Sequence, residues 1–225
     1  MQKLTTRQSF NTMSRALRYL ELRLARFPEL AEFRDQVVAA RKKHAEAHAS
    51  YTEAQEQRIA ATAEIGALDD GVDDTTLTLG QATLALFDRN REHPLYKRAF
   101  PQSPSSALTD VGGDRQERFV ANLCATLKTD DAYAPLREKG LALERLAEQL
   151  KQAQARRQDL WQREAALGVK YEMTADAIRR EYNALYHQFM LRMPGREAEI
   201  DTLFLQLNAS GHKAPGKTED PADGQ

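Results

Sequence analysis

Apolar residues recur at steps of three and four along most of this chain, with polar residues between them. The first segment of this kind covers residues 6–27. Its apolar positions are Phe10, Met13, Leu17, Leu20, Leu24 and Phe27. Because an α-helix has 3.6 residues per turn, this spacing places all six side chains on one side of a helix. The pattern predicts an all-α protein in which such stripes pack together.

A second helix is predicted over residues 28–68, with Pro28 at its start and no proline inside it. Alanine occupies many positions on its apolar side, which allows a partner helix to approach closely. The segment Gly66–Asp74 contains two glycines and four aspartates, a composition typical of a turn. We therefore expect this helix to end there, and a third helix to follow over residues 74–91.

A proline-rich segment near the middle of the chain, residues 93–113, is predicted to be a long loop. Further helices are predicted over residues 114–128, 135–167, 169–193 and 196–207. Gly168 interrupts the apolar pattern between the helices at 135–167 and 169–193, and Pro194 with Gly195 ends the second of these. Residues 209–225 are polar and rich in glycine and proline, so we expect a disordered tail.

These helices predict one domain over residues 1–208, an elongated antiparallel helical bundle made of two long helical hairpins plus shorter helices. A weak internal duplication is also suggested at an offset of 102 residues. At that offset Gly66 aligns with Gly168, and Phe87 aligns with Phe189. Each half would then contain a long helix, a turn near its glycine and a second helix.

Charge and cysteine content narrow the classes of function. The 32 basic and 33 acidic residues leave a net charge of -1, which gives no strongly basic surface for nucleic acid. The single cysteine, Cys124, excludes an internal disulfide framework and fits a reducing compartment. No apolar run approaches the roughly 20 residues that span a bilayer, so no transmembrane segment is expected. We expect a cytoplasmic protein.

One pair of histidines has the spacing that metal ligands have on a helix. His44 and His48 are four residues apart on the second predicted helix, so both imidazoles could bind one ion from the same helix face. A ligand from a facing helix would be needed, and Glu181 or His187 could supply it. The alternative is one histidine packed in the core beside an exposed one. No cofactor-binding motif occurs, and we expect no cofactor.

The first 27 residues contain six basic residues and one acidic residue. A basic helix with an apolar stripe could lie on an anionic membrane. Alternatively, the stripe completes the bundle and the arginines pair with acids on neighbouring helices. Tyr182 and Tyr186 are four residues apart, a spacing that suits a core edge or an interface. We expect the first-helix stripe and these two tyrosines to form the interface of the protein.

No motif in the sequence requires a particular chemistry. We therefore expect a non-enzymatic structural or protein–protein interaction component, whose partner is another protein or a second copy of itself. The alternatives are a metal-binding bundle using His44 and His48, and a peripheral membrane binder. A dispersed active site would most plausibly use the adjacent residues of the proline-rich segment, His93, Tyr96, Lys97 and Arg98.

Overall fold

The computed structural model describes residues 3–6, 8–109 and 114–206, and every regular element in those ranges is helical. The helices are α1 (Phe10–Leu24), α2 (Ala31–Leu86), α3 (Pro94–Ala99), α4 (Pro104–Thr109), α5 (Asp114–Thr129), α6 (Arg137–Arg192) and α7 (Glu197–Leu203). Short 3-10 turns precede α2 and α6, at Pro28–Leu30 and Asp131–Leu136. The prediction of an all-α antiparallel helical bundle is confirmed. The predicted disordered tail, residues 209–225, lies outside the described residues.

The predicted breaks inside the two long helices are wrong. Both α2 and α6 run for 56 residues, with Gly66 and Gly71 inside α2 and Gly168 inside α6. A glycine inside a helix costs about 1 kcal/mol relative to alanine, which burial of neighbouring residues readily offsets. Because neither glycine site contains a turn, the turns that suggested an internal duplication are not present. The duplication itself stays a prediction.

Side-chain contacts explain why α2 continues past its aspartates. Gln116 of α5 donates its Nε2 hydrogens to Asp69 Oδ1 at 3.2 Å and to Asp73 Oδ1 at 2.8 Å. Val72, between these two aspartates, and Leu79, beyond them, are buried at 1% and 0% exposure. Asp73 therefore lies within the helix rather than capping a new one, and burial raises the pKa of its carboxyl group.

The proline-rich segment is not the long loop that its composition suggested. It contains α3 and α4, each of six residues and each beginning with a proline. Proline suits the first position of a helix, where no intrahelical bond to its nitrogen is needed. Residues 110–113 of the predicted loop lie outside the described residues.

The chain divides into two compact units. Among the described residues, unit 1 comprises residues 3–6, 8–51 and 167–206, and unit 2 comprises residues 52–109 and 114–166. Each unit contains its own hydrophobic core. The single domain predicted over residues 1–208 stays a prediction, since one domain can contain two compact units.

The core of unit 1 joins α1, the first part of α2, the last part of α6, and α7. Ser9 caps α1, since its side chain accepts a hydrogen bond from Thr12 N. Phe33 of α2 meets Phe189 of α6 edge-to-face with ring centroids 5.2 Å apart, and Tyr51 stacks on Tyr171 at 6.0 Å. These two pairs show that α2 and α6 run antiparallel in this unit.

The core of unit 2 joins the rest of α2 and α6 to α3 and α5. Tyr133, at 0% exposure, donates its hydroxyl hydrogen to Leu95 O at 2.6 Å and meets Phe87 edge-to-face. Cys124 is buried, as its apolar neighbours predicted, and its thiol donates to Gly140 O at 3.6 Å. Burial is the main cause that raises the pKa of this thiol to about 11.

Candidate functional site

The two histidines proposed as metal ligands lie in an aromatic cluster of unit 1. Phe10 of α1 stacks on His48 with centroids 3.7 Å apart and lies 4.7 Å from the ring of His44. On the other side, the ring of Tyr171 is 5.9 Å from that of His44. Both imidazoles therefore pack against aromatic rings: His44 is buried, and His48 is half-buried rather than exposed as the alternative expected.

His44 is fully buried and electrically neutral at ordinary pH. Its Nδ1 lies 3.3 Å from Ser14 Oγ, and its Nε2 has no hydrogen-bond partner among the described residues. The pKa of the imidazole is lowered to about 4, mainly by burial and to a smaller extent by electrostatic interaction with His48 and Arg179.

The third ligand that a metal site would need is not found near these histidines. Across the described part of the chain, no three His, Cys, Asp or Glu side chains come together as metal ligands would. Glu181 instead lines a groove described below, and His187 lies on an exposed position of α6. Within the described ranges the two imidazoles are not joined by a third donor, and we propose no metal site there.

The apolar stripe of α1 is used inside unit 1. Met13, Leu17, Leu20 and Leu24 are each 1% exposed or less, and all four belong to the core. Phe10 is half-buried in the aromatic cluster, and Phe27 is half-buried beneath the guanidinium of Arg196 at 5.6 Å. The interface expected at these residues stays a prediction, but their packing is accounted for within one chain.

The tyrosine pair of α6 also packs against its own unit. Tyr182 is 2% exposed and meets Phe204 edge-to-face at 5.4 Å, and burial raises the pKa of its hydroxyl group. Tyr186 is half-buried, with its ring 5.7 Å from that of Phe204. The pair therefore lies at the edge of the core of unit 1. An interface at these tyrosines stays a prediction.

The basic residues of α1 pair largely within unit 1. Glu21, only 8% exposed, accepts hydrogen bonds from Arg18 at 2.6 Å and from Arg41 of α2 at 2.7 Å. Arg23 donates to Thr202 Oγ1 at 2.7 Å. With the apolar side of α1 buried, the structure adds no support to the membrane-binding hypothesis.

The adjacent polar residues of the proline-rich segment serve the fold of unit 2. His93 caps α3 by accepting a hydrogen bond from Leu95 N, and Tyr96 is 7% exposed in the core. Lys97 pairs with Glu92, and Arg98 pairs with Asp130 at 2.9 Å. These four side chains do not converge on one point where a substrate could react.

The feature of unit 1 with the geometry of a binding site is a groove between α2 and α6, with a volume of about 460 Å³. We call it the α2/α6 groove. Its apolar lining is Leu17, Val37, Ile178, Tyr182 and Leu185, with the alanines Ala39, Ala40 and Ala184. Its polar lining is Gln36, Lys43, Glu181 and Gln188.

Small side chains open this groove. Ala39 and Ala184 are exposed on its two walls, where larger residues would close the gap between the helices. The wall residues of α6, from Glu181 to Gln188, recur at steps of three and four, so they form one side of that helix. Leu17 of α1, which is 1% exposed, lines the groove at its buried end.

Two opposite charges line the groove on different helices. Lys43 lies on α2 and Glu181 on α6, and neither forms an ion pair with any described residue. Because the cation is on one wall and the anion is on the other, the two walls of the groove have opposite charges. An occupant with matching charges would bind in one orientation.

Sequence reasoning identified neither the groove nor its charges, although it placed several groove residues on the correct sides of their helices. The alanine-rich side of α2 was the available signal. Recognising a groove requires knowing which residue of α6 lies opposite which residue of α2, and the sequence does not state that register.

None of the described helices combines the length and the apolar character that crossing a membrane requires. Compared with known proteins, the chain matches no family model, no curated protein and no solved structure.

Proposed function

We propose that this protein is a non-enzymatic protein–protein interaction component that binds an amphipathic helix of another chain in the α2/α6 groove. The observation that carries the proposal is the groove itself, with its apolar floor, its small-residue walls and its polar edges. The single cysteine fits a reducing compartment, so we place this role in the cytoplasm.

The shape of the groove favours a helix as the occupant. It lies along two antiparallel helices, and a third helix placed between them would pack as a further member of the bundle. Helix-in-groove recognition uses apolar anchors at steps of three, four and seven residues. The exposed alanines Ala39 and Ala184, above a floor of buried apolar residues, offer contact to such anchors.

The charges define the chemistry of the partner helix. An acidic residue on one edge of its apolar side would face Lys43, and a basic residue on the other edge would face Glu181. Such pairs at the rim contribute little affinity but fix orientation and exclude helices with the reverse arrangement. The proposed partner is therefore an amphipathic helix with an acid and a base on opposite edges.

Photocrosslinking tests this proposal directly. A diazirine-bearing amino acid replaces Gln36 on the groove wall, and a matched control replaces Arg34, an exposed residue on another side of α2. Both full-length proteins are irradiated pure and in extract of the cells that produce them. Each crosslinked peptide is then identified by mass spectrometry.

We expect position 36 to crosslink to a peptide of the proposed chemistry, and position 34 not to do so. Ala184→Trp, which fills the groove from the surface of α6, should abolish the crosslink. Ala45→Trp, at an exposed alanine away from the groove, should preserve it. Equal crosslinking from positions 34 and 36, or none from position 36 in either sample, would overturn the proposal.

A further inference from the structure

We infer that the helix that occupies the groove is α6 of a second copy of this chain, inserted through Val169 and Met173. We call these two residues, with Lys170 and Glu172 beside them, the α6 ridge. The inference rests on the proposed function of the groove and names its occupant. Its evidence is the match between the exposed residues of the ridge and the lining of the groove.

The ridge is an exposed apolar feature of unit 1. Val169 is 62% exposed and Met173 is 69% exposed, although both are large apolar residues. They are four residues apart on α6, so they lie one above the other on the same side of the helix. Together they present two adjacent anchors at the spacing that a helix-binding groove recognises.

The charges on the two edges of the ridge are opposite. At 3.6 residues per turn, Lys170 and Glu172 lie about 80° to either side of the line that joins Val169 and Met173. Both are exposed, and neither forms an ion pair with a described residue. The ridge thus has the chemistry required of the partner: apolar anchors, an acid on one edge and a base on the other.

The groove presents the complementary arrangement. With the ridge of a second copy in the groove, Glu172 of that copy faces Lys43, and its Lys170 faces Glu181. None of these four charges has an ion-pair partner among the described residues of one chain. In the contact between two copies, each faces an opposite charge. Met173 brings a flexible, polarizable side chain to the apolar floor, and such side chains adapt readily to irregular surfaces.

Groove and ridge are different patches of the same unit. Two copies that exchange ridges reciprocally close as an isologous dimer, whereas a one-way contact is heterologous and lets each copy add to the next. Sedimentation of the assembly distinguishes these two forms, and both contain the same groove-to-ridge contact.

A charge-swap experiment on the full-length protein tests the contact. One variant combines Lys43→Glu with Glu181→Lys in the groove, and a second combines Lys170→Glu with Glu172→Lys on the ridge. A third carries all four substitutions. Every variant keeps the net charge of the native protein, so changes in self-association report on position rather than on total charge. The dissociation constant of self-association is measured by analytical ultracentrifugation at low salt.

We expect each two-residue variant to weaken self-association about tenfold, and the four-residue variant to return within about threefold of the native dissociation constant. Rescue of this kind excludes misfolding as the cause of the losses. Lys42→Glu with Glu46→Lys, an exposed pair of α2, serves as a matched control that should change nothing. Unchanged association in both two-residue variants, or no rescue in the four-residue variant, would overturn the inference.

The outcome also separates this inference from the proposed function. If the pure native protein does not self-associate, but position 36 still crosslinks to another protein in a groove-dependent manner, the self-partner inference fails and the proposed function stands. If the groove-dependent crosslink is also missing, both fail.

Discussion

The Nδ1 atom of His44 lies 3.3 Å from Ser14 Oγ, while Nε2 of the same ring is buried with no hydrogen-bond partner among the described residues. This arrangement holds a neutral imidazole inside unit 1. After burial, electrostatic interactions with His48 and Arg179 are the smaller causes that disfavour its protonated form. The core of unit 1 therefore contains a group that resists protonation as long as the protein is folded.

This burial makes the stability of the protein sensitive to acid. The pKa of His44 is about 4 in the folded protein and 6.5 when exposed. Above pH 6.5 His44 is neutral in both the folded and the unfolded state, so its burial does not reduce the free energy of unfolding through protonation. As the pH falls from 6.5 towards 4, only the unfolded chain takes up the proton, so the free energy of unfolding decreases by about 3 kcal/mol.

Urea unfolding at several pH values measures this decrease. His44→Phe removes the titrating group and should flatten the dependence between pH 6.5 and 4. His187→Phe, at an exposed position of α6, should leave the native pH profile intact. If His44→Phe retains the full acid dependence, this explanation is wrong.

The glycines inside the long helices should respond to alanine according to their surroundings. A Cβ atom at Gly66 would meet nothing within 4 Å, so Gly66→Ala should raise the free energy of unfolding by about 0.5–1 kcal/mol. At Gly80 a Cβ atom would lie 2.6 Å from Pro104 Cγ, so Gly80→Ala should lower it by about 1–3 kcal/mol. Thermal unfolding of both variants provides the comparison, and equal effects would contradict this packing.

Glu21 is predicted to stabilise the contact between α1 and α2. It accepts from both Arg18 and Arg41, and its own side chain is 11% exposed. Glu21→Ala should lower the free energy of unfolding by about 1–2 kcal/mol. Glu46→Ala removes an exposed pair with Lys42 and should have almost no effect. Similar urea midpoints for the two variants would show that the buried bridge adds no stability.

Tyr133 is predicted to anchor the start of α3. Its hydroxyl group donates to Leu95 O, so Tyr133→Phe leaves that carbonyl oxygen without this donor, at a cost of about 1 kcal/mol. Limited proteolysis should then cleave residues 93–109 faster than in the native protein. Unchanged cleavage with unchanged stability would show that the core alone holds this segment.

The helix content was predictable because periodicity is a local property of the sequence. The stripe from Met13 to Leu24 predicted the buried side of α1, and Ile178 and Tyr182 marked that of α6. The ends of the long helices were not predictable in the same way. The sequence predicts an interruption at Gly168, but the helix continues there, and Tyr51 packs so closely that a Cβ atom at this position would lie 3.3 Å from its ring.

The candidate site depended on information that periodicity does not contain. Lys43 and Glu181 are 138 positions apart in sequence, and only the antiparallel pairing of α2 with α6 brings them to one groove. His44 and His48 illustrate the converse. Their spacing suggested a metal site, but Phe10 and Tyr171 of other helices pack against their rings. Whether two suitably spaced residues of one helix can bind a metal depends on the residues that pack against them.

The absolute mass of the protein in solution, measured by light scattering over a range of concentrations, tests the account most directly. The native chain has a mass of 25.4 kDa. We predict a mass that rises above this value with concentration and falls with added salt, and a constant 25.4 kDa for Ala184→Trp. A native protein that stays at 25.4 kDa at every concentration, or an Ala184→Trp variant that associates as the native protein does, would contradict self-association through the groove.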